Sequence, residues 1–338
     1  MTQAEAKKIA RERMKGYCRV CPVCNGKACA GEVPGMGGVG SGAAFTANVE
    51  ALARIRLNMR AIHDRKTADT TAVLLGTSYA HPIQCAPMTG VAYNMGGAMS
   101  EEEFELALAK GSSAAGTLVW TGDGADPAMF EAGLSAIKAV NGQGIAIIKP
   151  RAQDEILARM ARAEEAGVVA VGVDIDGAGL VTMALKNQPV GPKSFSELKE
   201  LVAATSLPFI VKGIMTPDQA LLAAEAGAAA IVVSNHGGRV LDHTPGAAEV
   251  LQAVSRQVRG RLTVFADGGV RHGADVLKLL CLGADGVLVG RPMAVAAMGG
   301  GEEGVAGLFK AMQGELVQSM LLTGVGSLKQ AGPDILFT

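Results

Sequence analysis

From residue 82 onward the chain repeats one unit eight times: a short apolar run, a polar or glycine-containing turn, then a segment with helical spacing. The apolar runs are Ile83–Pro87, Gly116–Trp120, Ile145–Lys149, Val169–Ile175, Phe209–Lys212, Ala230–Ser234, Thr263–Asp267 and Gly286–Val289. Between them, Ser100–Lys110, Asp154–Ala166, Thr216–Ala226 and Gly273–Leu282 carry apolar residues at the spacing of one helix face. A strand that is apolar along its whole length is buried on both sides, so such strands pair in parallel beneath the intervening helices. Eight units point to a closed (β/α)8 TIM barrel, an α/β fold, with an open doubly wound sheet as the alternative.

Helix punctuation agrees. Ser100 opens Ser-Glu-Glu-Glu and Thr216 opens Thr-Pro-Asp-Gln, each a cap residue with an acid or amide three positions on. Gly167, Gly227 and Gly283 follow the helical segments, where a left-handed terminal residue is expected. Ahead of the repeats lie a helical lead-in, Asn48–His63, a glycine-rich linker, Gly35–Gly42, and a cysteine cluster. The expected division is therefore residues 1–45 as an N-terminal helix, cysteine segment and linker, and 46–338 as the barrel.

Charge removes several classes of partner. The chain holds 31 Lys+Arg against 32 Asp+Glu, so the phosphate-attracting field that non-specific nucleic-acid binding needs is missing. No run resembles a polybasic membrane anchor, and no apolar stretch reaches the ~18 residues of a membrane span. Met1–Lys15 is charged and helix-prone, without the apolar core of a signal peptide. The expected compartment is the cytoplasm, where six cysteines bind metal or do redox chemistry more readily than they form a disulfide framework.

In a barrel, chemistry gathers at the C-terminal strand ends. Those ends read Pro87-Met88-Thr89, Thr121, Lys149, Asp174, Lys212, Ser234-Asn-His-Gly-Gly-Arg239, Asp267-Gly268-Gly269 and Gly290-Arg291. Buried strands gain nothing structurally from so many polar residues at equivalent positions, so together they outline one polar, mostly cationic site. Asp267-Gly-Gly-Val-Arg271 and Gly290-Arg291-Pro292 are glycine turns with an arginine close by, after late strands, where barrels hold phosphate. His236 follows an apolar strand and precedes two glycines. A neutral imidazole there can accept a proton, with a carboxylate such as Asp174 to orient it and Arg239 to fork a substrate carboxylate. Lys212 ends an apolar strand and calls for a negative partner.

The motifs Ser234-Asn-His-Gly-Gly-Arg-Val-Leu-Asp242, Ala266-Asp-Gly-Gly-Val-Arg271 and Gly290-Arg-Pro292 resemble the FMN-dependent α-hydroxy acid oxidase and dehydrogenase family, which includes glycolate and lactate oxidases. The resemblance spans about residues 48 to 325. It implies an FMN-dependent oxidoreductase that converts a 2-hydroxy acid to a 2-oxo acid. His236 would take a proton from the substrate carbon, or from its hydroxyl as hydride moves to flavin. Asp174 would pair with His236, Arg239 would bind the substrate carboxylate, and Lys212 would stabilise reduced flavin. Ser234 would approach the flavin ring; Pro87, Met88, Thr89, Thr121, Gly237 and Gly269 are further cofactor-binding positions. Asp267, Gly268, Arg271, Gly290 and Arg291 would hold the phosphate end.

The substrate half departs from the family pattern. Lys149 stands where the family has a substrate-contacting tyrosine, Ile147 where it has glutamine, and Gly172 where it has threonine; no arginine follows in Asp176-Gly-Ala-Gly-Leu-Val. Lys149 is therefore a candidate substrate residue alongside Arg239 and His236. Two other readings stay open: another FMN-barrel chemistry such as isomerisation, and a non-catalytic flavin or metal sensor. The family often assembles as tetramers, so a homo-oligomer is expected. The electron acceptor is left open by the sequence.

Cys18, Cys21, Cys24 and Cys29 form C-x2-C-x2-C-x4-C, within reach of one metal centre. The spacing is close to, not identical with, a ferredoxin run that carries a [4Fe-4S] cluster. Zinc favours paired C-x2-C units across a longer loop; reduced thiols are the third possibility. Cys85 and Cys281 lie apart, as buried barrel thiols.

Overall fold

The computed structural model describes residues 1–337. Eight parallel strands close into a barrel: β1 (Ile83–Cys85), β2 (Val119–Thr121), β3 (Gly144–Ile148), β4 (Ala170–Asp174), β5 (Phe209–Ile214), β6 (Ala230–Val233), β7 (Thr263–Ala266) and β8 (Gly286–Val289). They pair in chain order and β8 returns to β1. Every one of the eight apolar runs of the sequence supplies a strand. The closed alternative is the one adopted, because complete pairing leaves no sheet edge exposed.

Period-two alternation divides the core into two layers. Trp120, Ile145, Ile147, Ile210, Val232, Phe265 and Leu288 point inward and pack as one cluster. Trp120 meets Phe265 edge to face with centroids 4.9 Å apart, and its indole N–H donates to Gln84 Oε1 at 2.5 Å. Their neighbours Val119, Ala146, Ile148, Val211, Val287 and Val289 point outward into the layer beneath the helices. A hairpin, Ala72–Leu74 with Thr77–Tyr79, adds Ala72 and Leu74 to the inner cluster next to Gly286, the first residue of β8.

Ser100 makes the expected reciprocal cap with Glu103, whereas Thr216 makes no side-chain cap bond. Gly167, Gly227 and Gly283 all take left-handed conformations, as expected of helix ends. The lead-in helix is Ala43–Arg54, earlier and shorter than the expected Asn48–His63. Past Ile55 the chain is extended, and Arg56–Leu57 pairs antiparallel with Leu336–Phe337.

The N-terminal segment is fastened to the barrel at several points. Helix Gln3–Arg13 buries Ala6 and Ala10 against the segment Arg291–Leu322, which kinks at Gly301. A Cβ on Gly299 would run into the Ala6 backbone, so glycine sets that close approach. Gly35–Gly42, expected as a linker, lies across the barrel mouth instead. Val39 N–H donates to Gly238 O at 2.9 Å, and Asp242 accepts from Ser41 Oγ at 2.7 Å and from Ala44 N–H at 3.3 Å.

His81, just before β1, is fully buried and stacks on Phe309 at 5.4 Å. Burial brings its pKa down to about 4. The unfolded chain therefore binds a proton at this residue below pH ~6.5 that the folded chain refuses until about pH 4, so acid favours unfolding across that window. Denaturant titrations should lose about 3 kcal/mol through this residue between those pH values. In His81→Phe the dependence in that window should flatten; an unchanged slope contradicts the assignment.

Candidate active site

The C-terminal ends of β3, β4 and β5 bring a buried ion network together. Asp174, last residue of β4, receives Lys149 Nζ at 2.5 Å on one carboxylate oxygen and Lys212 Nζ at 2.8 Å on the other. All three side chains are less than a tenth exposed. Burial opposes charge on Asp174, yet His236, Lys149 and Lys212 together hold its carboxyl well below the usual range. Lys212 also feels burial, but Asp174, Asp176 and Asp267 raise it above the ordinary lysine value. Lys212 and Asp174 are thus both ionised, each offsetting the other's desolvation.

His236 lies at the end of β6 in a turn where His236, Gly237 and Gly238 all have positive φ. A left-handed histidine is uncommon and costs strain, which the site must hold in place. Part of the hold is local: His236 N–H donates to Ser234 Oγ at 3.0 Å, and that hydroxyl donates to Asp267 Oδ2 at 2.9 Å. The sequence suggests Asp174 as the partner of the imidazole. The structure corrects this to a shared arrangement in which Asp176 is nearer: Nδ1 is 3.1 Å from Asp176 Oδ1 and 3.4 Å from Asp174 Oδ2. Asp174 is already occupied by two ammonium groups, whereas burial, aided by Asp174, pushes the Asp176 carboxyl up. With Nδ1–H directed at the aspartates, Nε2 keeps its lone pair for the cavity.

Asp176 was missed because it lies beyond the strand, in the tight turn Ile175–Gly179. The local signal was the spacing Asp-x-Asp, which puts both acids on one face of an extended chain. A second was Lys-Gly at 212–213. The β5 ladder is irregular between Lys212 and Ile214, and a Cβ on Gly213 (φ +101°) would strike the Asp176 carboxyl. Glycine there makes room for the acid.

These groups face an open cavity of about 1110 Å³, counting its solvent-open mouth. Pro87, Met88, Thr89, Lys149, Asp174, Lys212, His236, Gly237, Arg239, Asp267, Gly268, Gly269, Arg271, Gly290 and Arg291 of the sequence-derived set all line it. Two do not. Thr121 is fully buried and turned toward Gly133, where a Cβ would meet it at 2.7 Å, so Gly122 faces the cavity instead. Ser234 lies beneath the surface and braces His236 and Asp267 as described. Met36, Tyr93 and Asn94 complete the wall; nothing in their sequence context singled them out.

Opposite the ion network stand three arginines whose partners are carbonyls, an amide oxygen and a thiol. Arg239 donates to Gly35 O at 2.5 Å and Asn94 Oδ1 at 3.0 Å. Arg291 donates to Met36 O, Gly37 O and Gly237 O at 2.7–3.0 Å and lies 3.7 Å over the Phe45 ring. Arg271 reaches Cys24. Burial brings Arg239 down to about 10, and burial with the neighbouring Arg239 and Arg271 brings Arg291 to about 9. Partly buried cations without carboxylates call for an anionic ligand. Among the described residues, Arg271 Nε and Asp267 Oδ1 are buried polar atoms without a hydrogen-bond partner at this same end. The donor set therefore fits a ligand with a phosphate at the arginine end and a polar body extending toward Lys212.

The FMN-dependent dehydrogenase family matches this chain over residues 35–189 and 182–338. The chain belongs to that family. FMN is accordingly its cofactor, in agreement with the fit of the cavity. Among relatives, glycolate oxidase 3 of Oryza sativa subsp. indica is 34% identical over 320 residues, covering 84% of this chain and 85% of the relative. Glycolate oxidase 3 of Arabidopsis thaliana is 32% identical over 323 residues, covering 84% of each. A crystal structure of mandelate oxidase aligns with a TM-score of 0.82 at 27% identity, over 99% of this chain and 97% of that one. Residues 1–34, with the four clustered cysteines, precede the family match.

The two aspartates should separate on substitution. Asp174→Asn takes from two buried ammonium groups the carboxylate that both of them bond and should cost ~3–5 kcal/mol in denaturant unfolding. Asp176→Asn should change stability by less than half of that, and slow substrate-driven flavin reduction ~10²-fold or more by loosening the imidazole. Equal losses of stability in both variants contradict this division.

Proposed function

We propose that the chain oxidises a 2-hydroxy acid to the corresponding 2-oxo acid. The observation that carries the reading is that one cavity is lined both by His236, whose Nδ1 faces Asp176 and so leaves Nε2 for the cavity, and by Arg239, a partly buried guanidinium without a carboxylate partner. A base and an unpaired guanidinium in one cavity are what a molecule with a carboxylate and an adjacent C–H and O–H requires. The names of the glycolate and mandelate oxidases to which the chain is similar support the same substrate class.

Each residue then has a physical part. Arg239 binds the substrate carboxylate and fixes the orientation of the carbinol carbon. His236 takes the proton at Nε2 while Nδ1–H stays directed at Asp176 and Asp174, which stabilise the imidazolium that forms. FMN, when bound, supplies the acceptor for the two electrons. Lys212 presents a cation at the cavity floor, suited to an electron-rich flavin edge. Arg271 and Arg291, with the turns at Gly268, Gly269 and Gly290, meet the phosphate. Pro87, Met88, Thr89 and Gly237 lie along the walls against which the ring packs. Lys149 serves the substrate less directly than its position in sequence suggests, because its ammonium is engaged by Asp174. That contact leaves Arg239 as the cation free for a substrate acid.

Anaerobic addition of a panel of 2-hydroxy acids, large and small, to the flavin-loaded protein tests the reading. Bleaching of the flavin absorbance by at least one acid is expected, and His236→Ala should slow it ~10²–10⁴-fold. Turnover without net bleaching points to isomerisation instead. No response to any acid, with the flavin bound, points to a sensor. Among the described residues no helix is long and apolar enough to cross a membrane.

A further inference from the structure

Cys18, Cys21, Cys24 and Cys29 occur in a folded loop, each partly buried, ahead of the region matched by the family. The loop is tied at both ends. Arg19 forks Glu32 with bonds of 2.6 and 2.7 Å, Met36 N–H donates to Tyr17 O at 3.1 Å, and Arg11 donates to the carbonyls of Arg19 and Val20. Val20, between the first two cysteines, is buried and left-handed (φ 44°), a conformation unfavourable for a β-branched residue. The same turn brings Val20 N–H to Cys18 Sγ at 3.4 Å, and Arg271 Nη2 stands 3.3 Å from Cys24 Sγ. Two donors already aimed at sulfur suit sulfurs that carry negative charge.

We propose that Cys18, Cys21, Cys24 and Cys29 bind a [4Fe-4S] cluster, and that the cluster fastens the N-terminal loop over the arginine end of the cavity. Two observations select this over zinc. The run C-x2-C-x2-C matches an iron–sulfur spacing better than paired zinc knuckles. A zinc tetrahedron with Zn–S of ~2.3 Å holds its sulfurs ~3.8 Å apart, whereas among the described residues no three of these sulfurs lie within 4.8 Å of one another. A four-iron cube is larger than one ion and takes more widely spaced sulfurs. The fastening follows from the contacts below the loop: Met36 and Gly37 accept from Arg291, Gly35 accepts from Arg239, and Cys24 O and Sγ accept from Arg271. Metal binding that orders this loop therefore also sets the positions of three cavity arginines.

The test is metal analysis of the full-length protein purified without oxygen, which counts iron independently of flavin and of any substrate. About four iron and four acid-labile sulfide per chain are expected, with the dithionite-reduced protein giving an electron paramagnetic resonance signal. Cys21→Ser should lose most of the iron and sulfide and make residues 15–40 accessible to limited proteolysis, while Cys281→Ala keeps both. Stoichiometric zinc, or a metal-free protein with all four thiols open to titration, overturns the cluster. Iron retained in full by Cys21→Ser overturns the ligand assignment, and full iron loss with unchanged proteolysis overturns the fastening. Should no hydroxy acid react, the metal count still decides this proposal, so the two readings fail separately.

Discussion

Much of this site depends on one carboxylate. Asp174 is the group between two buried lysines and beside an imidazole, and neither ammonium is tolerable in the barrel interior without it. Once ionised, it fixes Lys149 at the end of β3 and Lys212 at the end of β5, which pins three adjacent strands to one another at their functional ends. The same charge frees Asp176 for a different task. Because Lys149 and Lys212 both bond Asp174, Asp176 can stand closer to His236, and Gly213 supplies the space.

The opposite wall is organised by unsatisfied positive charge. Arg239, Arg271 and Arg291 come from three different strand ends and converge under a loop from the first forty residues. Carbonyl oxygens of that loop solvate them partly but do not neutralise them. An anionic ligand completes the balance. The N-terminal segment is thus a wall of the cavity, and its order bears directly on the arginine end of the site.

The barrel was legible because its signal is periodic and local. Eight apolar runs of strand length, with glycines where helices must end, allow few folds other than a closed parallel barrel. Most cavity residues were legible for the same reason: a polar residue at the end of an apolar strand points to the mouth. That rule failed at Thr121, whose side chain faces the helix behind it, and at Ser234, which supports the site from below. It also passed over Asp176, Tyr93 and Asn94, because they stand on turns and short helices whose positions depend on what they pack against. The lead-in helix was misplaced because apolar spacing continued past Ile55, where pairing with the C-terminal strand Leu336–Phe337 takes over.

By itself the sequence determined the number of strands, their order, and which chemical groups stand at the mouth, since these follow from side-chain periodicity and strand direction. Only the tertiary structure decided which of two neighbouring acids meets the histidine, that Lys149 is consumed by Asp174, and that the glycine-rich segment covers the arginines. Those outcomes depend on distances of a few tenths of an ångström and on charge balance among residues far apart in the chain, neither of which a linear pattern records.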